Sequence, residues 1–159
     1  MMKKILILLT IFFALMHSVY AQSPTIKPYQ KGDWKALIKP YAGQAIAIHF
    51  WGVTCAPCAK EMPQWGQFLT QNKNAKMIFI QVDDISPESA VKMLSAANVN
   101  PTNSYTLTAP FDDALRHEID PQWRGETPMT LLVDKNGKVT RKVGSMDFKK
   151  LKQWYLSGA

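Results

Sequence analysis

Cysteine is scarce in this chain, with two in 159 residues, Cys55 and Cys58, and histidine is little commoner, with three. A structural zinc site needs four ligands. Cys55, Cys58 and the two histidines beyond the N-terminal segment, His49 and His117, could supply them only by coincidence of folding. A c-type haem attachment site needs histidine directly after the second cysteine, and Ala59 stands there. No apolar run reaches the roughly 20 residues of a spanning helix, since Ile5–Met16 is shorter. Basic residues are scattered, with only Lys149, Lys150 and Lys152 clustered, and no Arg-rich or aromatic-interleaved stretch occurs. A nucleic-acid surface is therefore not expected. Internal repeats and low-complexity segments are also missing.

What is present begins with an export pattern. Met1–Lys4 is basic, Ile5–Met16 is apolar, and His17–Ala21 ends in Val-Tyr-Ala, which predicts a secretory signal cleaved after Ala21, with an uncleaved anchor as the other reading. No cysteine follows the apolar run, so attachment through a lipidated N-terminal cysteine is not expected. Loss of Lys3 and Lys4 takes the formal charge from +7 to +5, a mild excess that suits a solvated basic surface. The expected organisation is a signal peptide over 1–21, an extended leader over 22–32 and one domain over 33–159, soluble and monomeric. Export to the periplasm or its equivalent places the cysteines where disulfides persist, so the pair is either structural or catalytic.

Hydrophobic periodicity sets the element order. Asp33 is expected to cap a helix burying Trp34, Leu37, Ile38 and Tyr41. Ala45–Trp51 is a nearly continuous apolar run, the pattern of a strand covered on both faces, broken only by His49. From Pro57 an amphipathic helix buries Met62, Trp65, Phe68 and Leu69, with Pro63 expected to kink it near Ala59. Lys76–Val82 reads as a second strand, and Ser86-Pro87 as a helix start. Tyr105–Leu107 reads as a short strand and Phe111–Ile119 as a short helix. Met129–Val133 and Lys138–Val143 flank Asn136-Gly137 as a hairpin, and Asp147 caps the last helix. A β-α-β half followed by a β-β-α half gives an α/β fold with a mixed four-stranded sheet and helices on both faces. The first of its sheet-to-helix turns, at the C-terminal end of a strand, carries Cys55 and Cys58.

Cysteines three apart at a helix start lie about one turn from each other, close enough to form and reopen a small disulfide ring. The helix N-terminus stabilises a thiolate at Cys55, which makes it the expected nucleophile, and Cys58, one turn further in, the resolving thiol. Ala56 and Pro57 add no charge, so the expected pKa depression is moderate, which argues for a reductant or mid-potential exchanger. A purely structural disulfide closing so small a loop would remove little chain entropy.

These residues resemble the thioredoxin superfamily, in particular its exported TlpA/ResA-like branch. The resemblance is carried by Phe50-Trp51, Cys55-Ala56-Pro57-Cys58, Glu61 with Pro63, and Thr127-Pro128 before Met129–Asp134, and covers the chain from about Asp33 onward. It implies a thioredoxin fold, with a mixed central β-sheet flanked by helices and a helix-strand insertion over Ser86–Leu107 before the penultimate helix. It further implies thiol-disulfide exchange without a bound cofactor or metal, protein thiols or disulfides as substrates, and a membrane-embedded thiol protein as electron donor. Reduction of apocytochrome c disulfides is the commonest task of the branch. A cis peptide before Pro128 is implied to face the cysteines, with Thr127, Pro128, Trp51 and Pro57 at the substrate. Glu61 resembles a buried glutamate that assists proton transfer, and His49, where the branch often has Asn, is the candidate acceptor of the Cys58 proton. Thr54 stands where the family usually has an aromatic residue, and Gly125 lies one residue earlier than usual. The other reading of the fold is a binding or chaperone module with a static disulfide.

Overall fold

In a computed structural model, residues 25–158 are described; the expected signal peptide lies outside them. Among the described residues the sheet has six strands, in the order β1-β4-β3-β2-β5-β6. These are β1 (Lys27–Tyr29), β2 (Ile46–Trp51), β3 (Lys76–Gln81), β4 (Ser104–Leu107), β5 (Met129–Val133) and β6 (Val139–Val143). The first four run parallel to one another, and β5 and β6 pair antiparallel on the other side of β2. The helices are α1 (Trp34–Ile38), α2 (Ala56–Gln71), α3 (Pro87–Ala96), α4 (Asp113–Ile119) and α5 (Phe148–Leu156).

The central strands are buried on both faces, which is why they read as apolar runs. Along β2, Ile46, Ile48 and Phe50 enter one core layer with Leu37, Leu115 and Ile119 of α1 and α4. Ala47 and Trp51 enter the other with Met62 and Trp65 of α2, Leu94 of α3 and Leu151 of α5. Gly66 permits the contact of α2 with the end of α3, because a Cβ there would sit 1.6 Å from the Ala97 carbonyl oxygen.

Several local expectations hold. Ser86 accepts the Ser89 N–H at 3.4 Å, and Asp147 accepts those of Lys149 and Lys150, each at 3.1 Å. The hairpin closes through Asp134, which accepts the Asn136 and Lys138 amides at 2.8 and 2.9 Å, with Gly137 at φ +80°. α2 runs as one helix through Pro63.

Three expectations are corrected. The sheet has six strands, because β4 joins β3 and the expected leader contributes β1 beside it. Tyr29 is buried, and its carbonyl accepts the Thr108 amide at 2.9 Å. Asp33 does not cap α1 with its side chain; it accepts the Gln30 amide at 3.0 Å. Glu118 from α4 serves the helix start instead, accepting the amides of Gly32 at 2.8 Å and Trp34 at 3.2 Å. Finally, α1 is five residues long and tightens into a 3-10 turn over Lys39–Tyr41, where Pro40 has no N–H to continue the ladder.

Candidate active site

β2 ends at Trp51, and the short turn Gly52–Thr54 delivers Cys55 to the start of α2. Cys55 is the N-cap residue in extended conformation, and its sulfur accepts the Cys58 N–H at 3.3 Å. Pro57 follows in the first turn, exposed, where its missing N–H leaves no bond unmade. The two sulfurs form a disulfide across a Cα separation of 5.2 Å. Cys55 is partly exposed whereas Cys58 is fully buried. The asymmetry is the one exchange needs, with one sulfur open to attack and the other sheltered behind it.

The Thr127–Pro128 peptide is cis. β5 begins at the next residue, and Met129 faces Phe50 across the antiparallel ladder. Continued by one residue, that register sets Pro128 beside Trp51, at the strand end that carries the cysteines. Pro128 is buried and Thr127 partly so, and the Pro128 carbonyl accepts the Gly144 amide at 2.8 Å. The preceding loop is braced internally. Trp123 Nε1 donates to the Glu126 carbonyl at 2.9 Å, the Arg124 amide donates to Glu126 Oε2 at 3.0 Å, and Gly125 takes φ +98°. The displaced glycine is thus part of a closed turn.

Glu61 lies on the buried face of α2, one turn beyond Cys58. Its Oε1 accepts the Met146 amide at 2.8 Å, while Oε2 is buried and unpaired among the described residues. Burial pushes its carboxyl above the ordinary value of 4.5, opposed by the Met146 N–H, the Trp65 indole N–H and the Lys142 ammonium. Among the described residues, Trp65 Nε1 and Glu61 Oε2 nevertheless both stay without a partner at hydrogen-bonding geometry.

His49 is fully buried on β2, its ring centroid 4.8 Å from that of Trp65 and 5.8 Å from that of Phe79. Nδ1 shares a hydrogen bond of 2.9 Å with Thr130 Oγ1, and Nε2 has no partner among the described residues. Burial lowers its pKa to about 3. An imidazole so reluctant to charge is a poor acceptor for a thiol proton, so this setting lends the relay role expected of His49 no support. Trp51, expected at the substrate, is fully buried and offers it no surface; its indole packs in the core layer that holds Cys58.

Comparison with known proteins places this arrangement. No protein-family model matches the chain. The thiol-disulfide oxidoreductase ResA of Bacillus anthracis is 30% identical over 123 residues, which is 77% of this chain and 67% of the relative. The chain belongs to the ResA-like thiol-disulfide oxidoreductases. Two solved structures share its fold. A thiol:disulfide interchange protein of the thioredoxin family from Chlorobium tepidum has a TM-score of 0.61 at 18% identity, covering 76% of this chain and 83% of that one. A secreted disulfide oxidoreductase of Mycobacterium tuberculosis has 0.59 at 15%, covering 75% and 85%. The fold is therefore thioredoxin-like, and the activity of this ResA-like chain is thiol-disulfide exchange with protein thiols.

Some residues around the pair carried no readable signal in the sequence. Met146 serves Glu61 through its backbone amide, from 85 positions away. Asp83 holds the turn before Cys55, and Gln81 behind it is tied to the neighbouring strand through Thr106. Side-chain type alone does not announce such contacts.

Proposed function

We propose that this ResA-like protein works outside the cytoplasm as a reductant of protein disulfides, with Cys55 as nucleophile, Cys58 as resolving thiol and Glu61 as proton relay. The observation that carries the reading is the unequal placement of the two cysteines, Cys55 partly exposed at the N-cap of α2 and Cys58 buried behind it. In the reduced protein the Cys55 thiolate attacks a substrate disulfide, forming a mixed disulfide and releasing one substrate thiolate. Cys58 loses its proton and attacks the Cys55 sulfur, and the second substrate thiolate leaves. The protein loses two electrons and the substrate gains them. Glu61, one helical turn from Cys58 and with a free buried oxygen, takes the Cys58 proton.

The reducing direction is supported by the uncharged Ala56-Pro57 pair, which leaves the helix N-terminus as the main stabiliser of the thiolate. The export pattern of residues 1–21 and the likeness to a protein described as secreted support the location. Thr127, Pro128 and Pro57 receive the substrate chain, and a membrane-embedded thiol protein restores the dithiol of the monomer. Disulfides of apocytochrome c fit this chemistry as substrates.

The test is the reduction potential of the pair together with insulin reduction. A potential near or below that of thioredoxin, about −270 mV, and turnover abolished by Cys55→Ser are expected. Cys58→Ser should accumulate the mixed disulfide. A potential near −120 mV, the range of a strong oxidant, would sink the reducing direction.

A further inference from the structure

The turn Gly52–Thr54 carries no charge of its own, yet a carboxylate holds it. Asp83 lies just past the end of β3, and its Oδ2 accepts the Thr54 backbone N–H at 2.7 Å and the Thr54 hydroxyl at 2.9 Å. Its Oδ1 accepts Gln81 Nε2 at 2.8 Å. Gln81 is fully buried and is itself fixed. Its Nε2 also donates to the Asp83 and Ile85 carbonyls at 3.1 and 2.9 Å, and its Oε1 accepts the Thr106 hydroxyl of β4 at 2.6 Å. The chain of bonds from Thr106 through Gln81 and Asp83 to Thr54 thus ties the ends of β4 and β3 to the turn after β2. A polar network satisfied in this way fixes geometry. Gly52 keeps the approach open, because a Cβ there would stand 2.9 Å from Asp83 Oδ2.

We propose that Asp83 is a positioning residue for exchange at Cys55: its carboxylate anchors the turn that presents the nucleophile and sets a fixed negative charge beside it, which biases the pair toward the disulfide. The charge is permanent at neutral pH. Burial pushes the Asp83 carboxyl up, but the bonds from Thr54 and Gln81 outweigh it and hold the pKa below the ordinary 3.8. A neighbouring negative charge raises the free energy of the Cys55 thiolate and leaves the neutral disulfide untouched, so the dithiol gives up its two electrons more readily. The inference rests on the exchange chemistry proposed above and adds to it a device that favours the reducing direction. Other ionisable groups belonging to elements at this end of the sheet are Lys60 and Glu61 on α2, Asp84 beside Asp83, and Arg124 and Glu126 in the loop before Pro128.

The experiment compares Asp83→Asn with Asp84→Asn and Thr54→Val. Its readouts are the Cys55 pKa, from the pH dependence of iodoacetamide alkylation of the reduced protein, and the potential at pH 9 against dithiothreitol. Asp83→Asn should lower the Cys55 pKa by about half a unit to one unit, a three- to tenfold gain in thiolate. The potential should rise by about 15 to 30 mV, the same change converted at about 30 mV per tenfold. Asp84→Asn, which removes the same formal charge from an exposed position, should do markedly less. Thr54→Val, which keeps the charge and the backbone bond, should leave the pKa in place. An unchanged or raised Cys55 pKa in Asp83→Asn overturns the inference, and so does an equal effect of Asp84→Asn. Should Asp83→Asn not fold, the wild-type Asp83 carboxyl carbon resonance decides: a step at the Cys55 pKa in the reduced protein and none in the oxidised protein is expected, and no step overturns the inference. A wild-type potential in the oxidising range with the Asp83→Asn shift intact would sink the reductant reading and leave this inference standing.

Discussion

Replacing His49 by Asn tests the electrostatics of the buried layer beneath the cysteines. His49 has no solvent exposure, its ring lies against Trp65 and Phe79, and burial alone takes its pKa from 6.5 to about 3. The unfolded chain takes up the imidazole proton as pH falls through about 6.5, whereas the folded chain resists until about 3. Between those limits the unfolded state binds more protons, so stability is complete above the upper value and is lost as pH falls toward the lower one. At about 1.4 kcal/mol per pH unit, the full window is worth on the order of 4 to 5 kcal/mol, and the part between pH 6.5 and 4.5 about 2 to 3 kcal/mol. The assay is urea unfolding of the oxidised protein, followed by tryptophan fluorescence at pH 7.5 and 4.5. Wild type should lose about 2 to 3 kcal/mol more than His49→Asn over that interval, whatever the variant costs at neutral pH. Glu61 and the other carboxylates contribute to both proteins and cancel in the comparison. Parallel losses would refute the reasoning, since they would mean that the folded protein protonates His49 as readily as water does.

Two further outcomes test other parts of the structure. Gly66→Ala should destabilise by at least about 1 to 3 kcal/mol in urea unfolding, although alanine is the better helix former by about 1 kcal/mol, because the new Cβ would stand 1.6 Å from a backbone carbonyl oxygen; a stabilised variant would show that α2 and α3 separate freely. Glu61 binds its proton more tightly folded than unfolded, so wild-type stability falls as pH rises above the unfolded value of about 4.5. Glu61→Gln should remove that decline and alter the titration of the reduced cysteines, and an unaltered cysteine titration would exclude the proton relay.

The parts of the fold that were legible are those written in local pattern. β2, β3, α2 and α5 announce themselves by apolar period, and the caps at Ser86 and Asp147 hold because a cap bonds within three residues of itself. β1 was not legible. It is three residues long, contains Pro28 and sits at a sheet edge, where alternation has no room to show and a missing N–H is tolerated. Asp33 shows the same limit from the other side. Its position suits a cap, but Glu118 supplies the bonds from 84 and 86 positions away. At the site, Cys55, Cys58 and Pro128 were marked by their motif text, while the burial of Trp51 and the low pKa of His49 depend on what α2 and the neighbouring strands lay over them.

Thr54 makes the distinction sharp. Threonine in place of the family's usual aromatic residue is plain in the sequence, and it suggests only an altered apolar surface around the nucleophile. In the structure the hydroxyl makes one of the two bonds that Thr54 offers to Asp83, and the shorter of the two comes from the backbone N–H, at 2.7 Å. Any residue but proline at position 54 keeps that N–H. The anchoring of the turn therefore belongs to Asp83 and to the Gln81–Thr106 support behind it, and the side chain at position 54 adds to it without creating it. By the same logic the charge beside the nucleophile follows the residue at 83, so the tuning of this thiol is set at the end of β3, 28 residues downstream of Cys55.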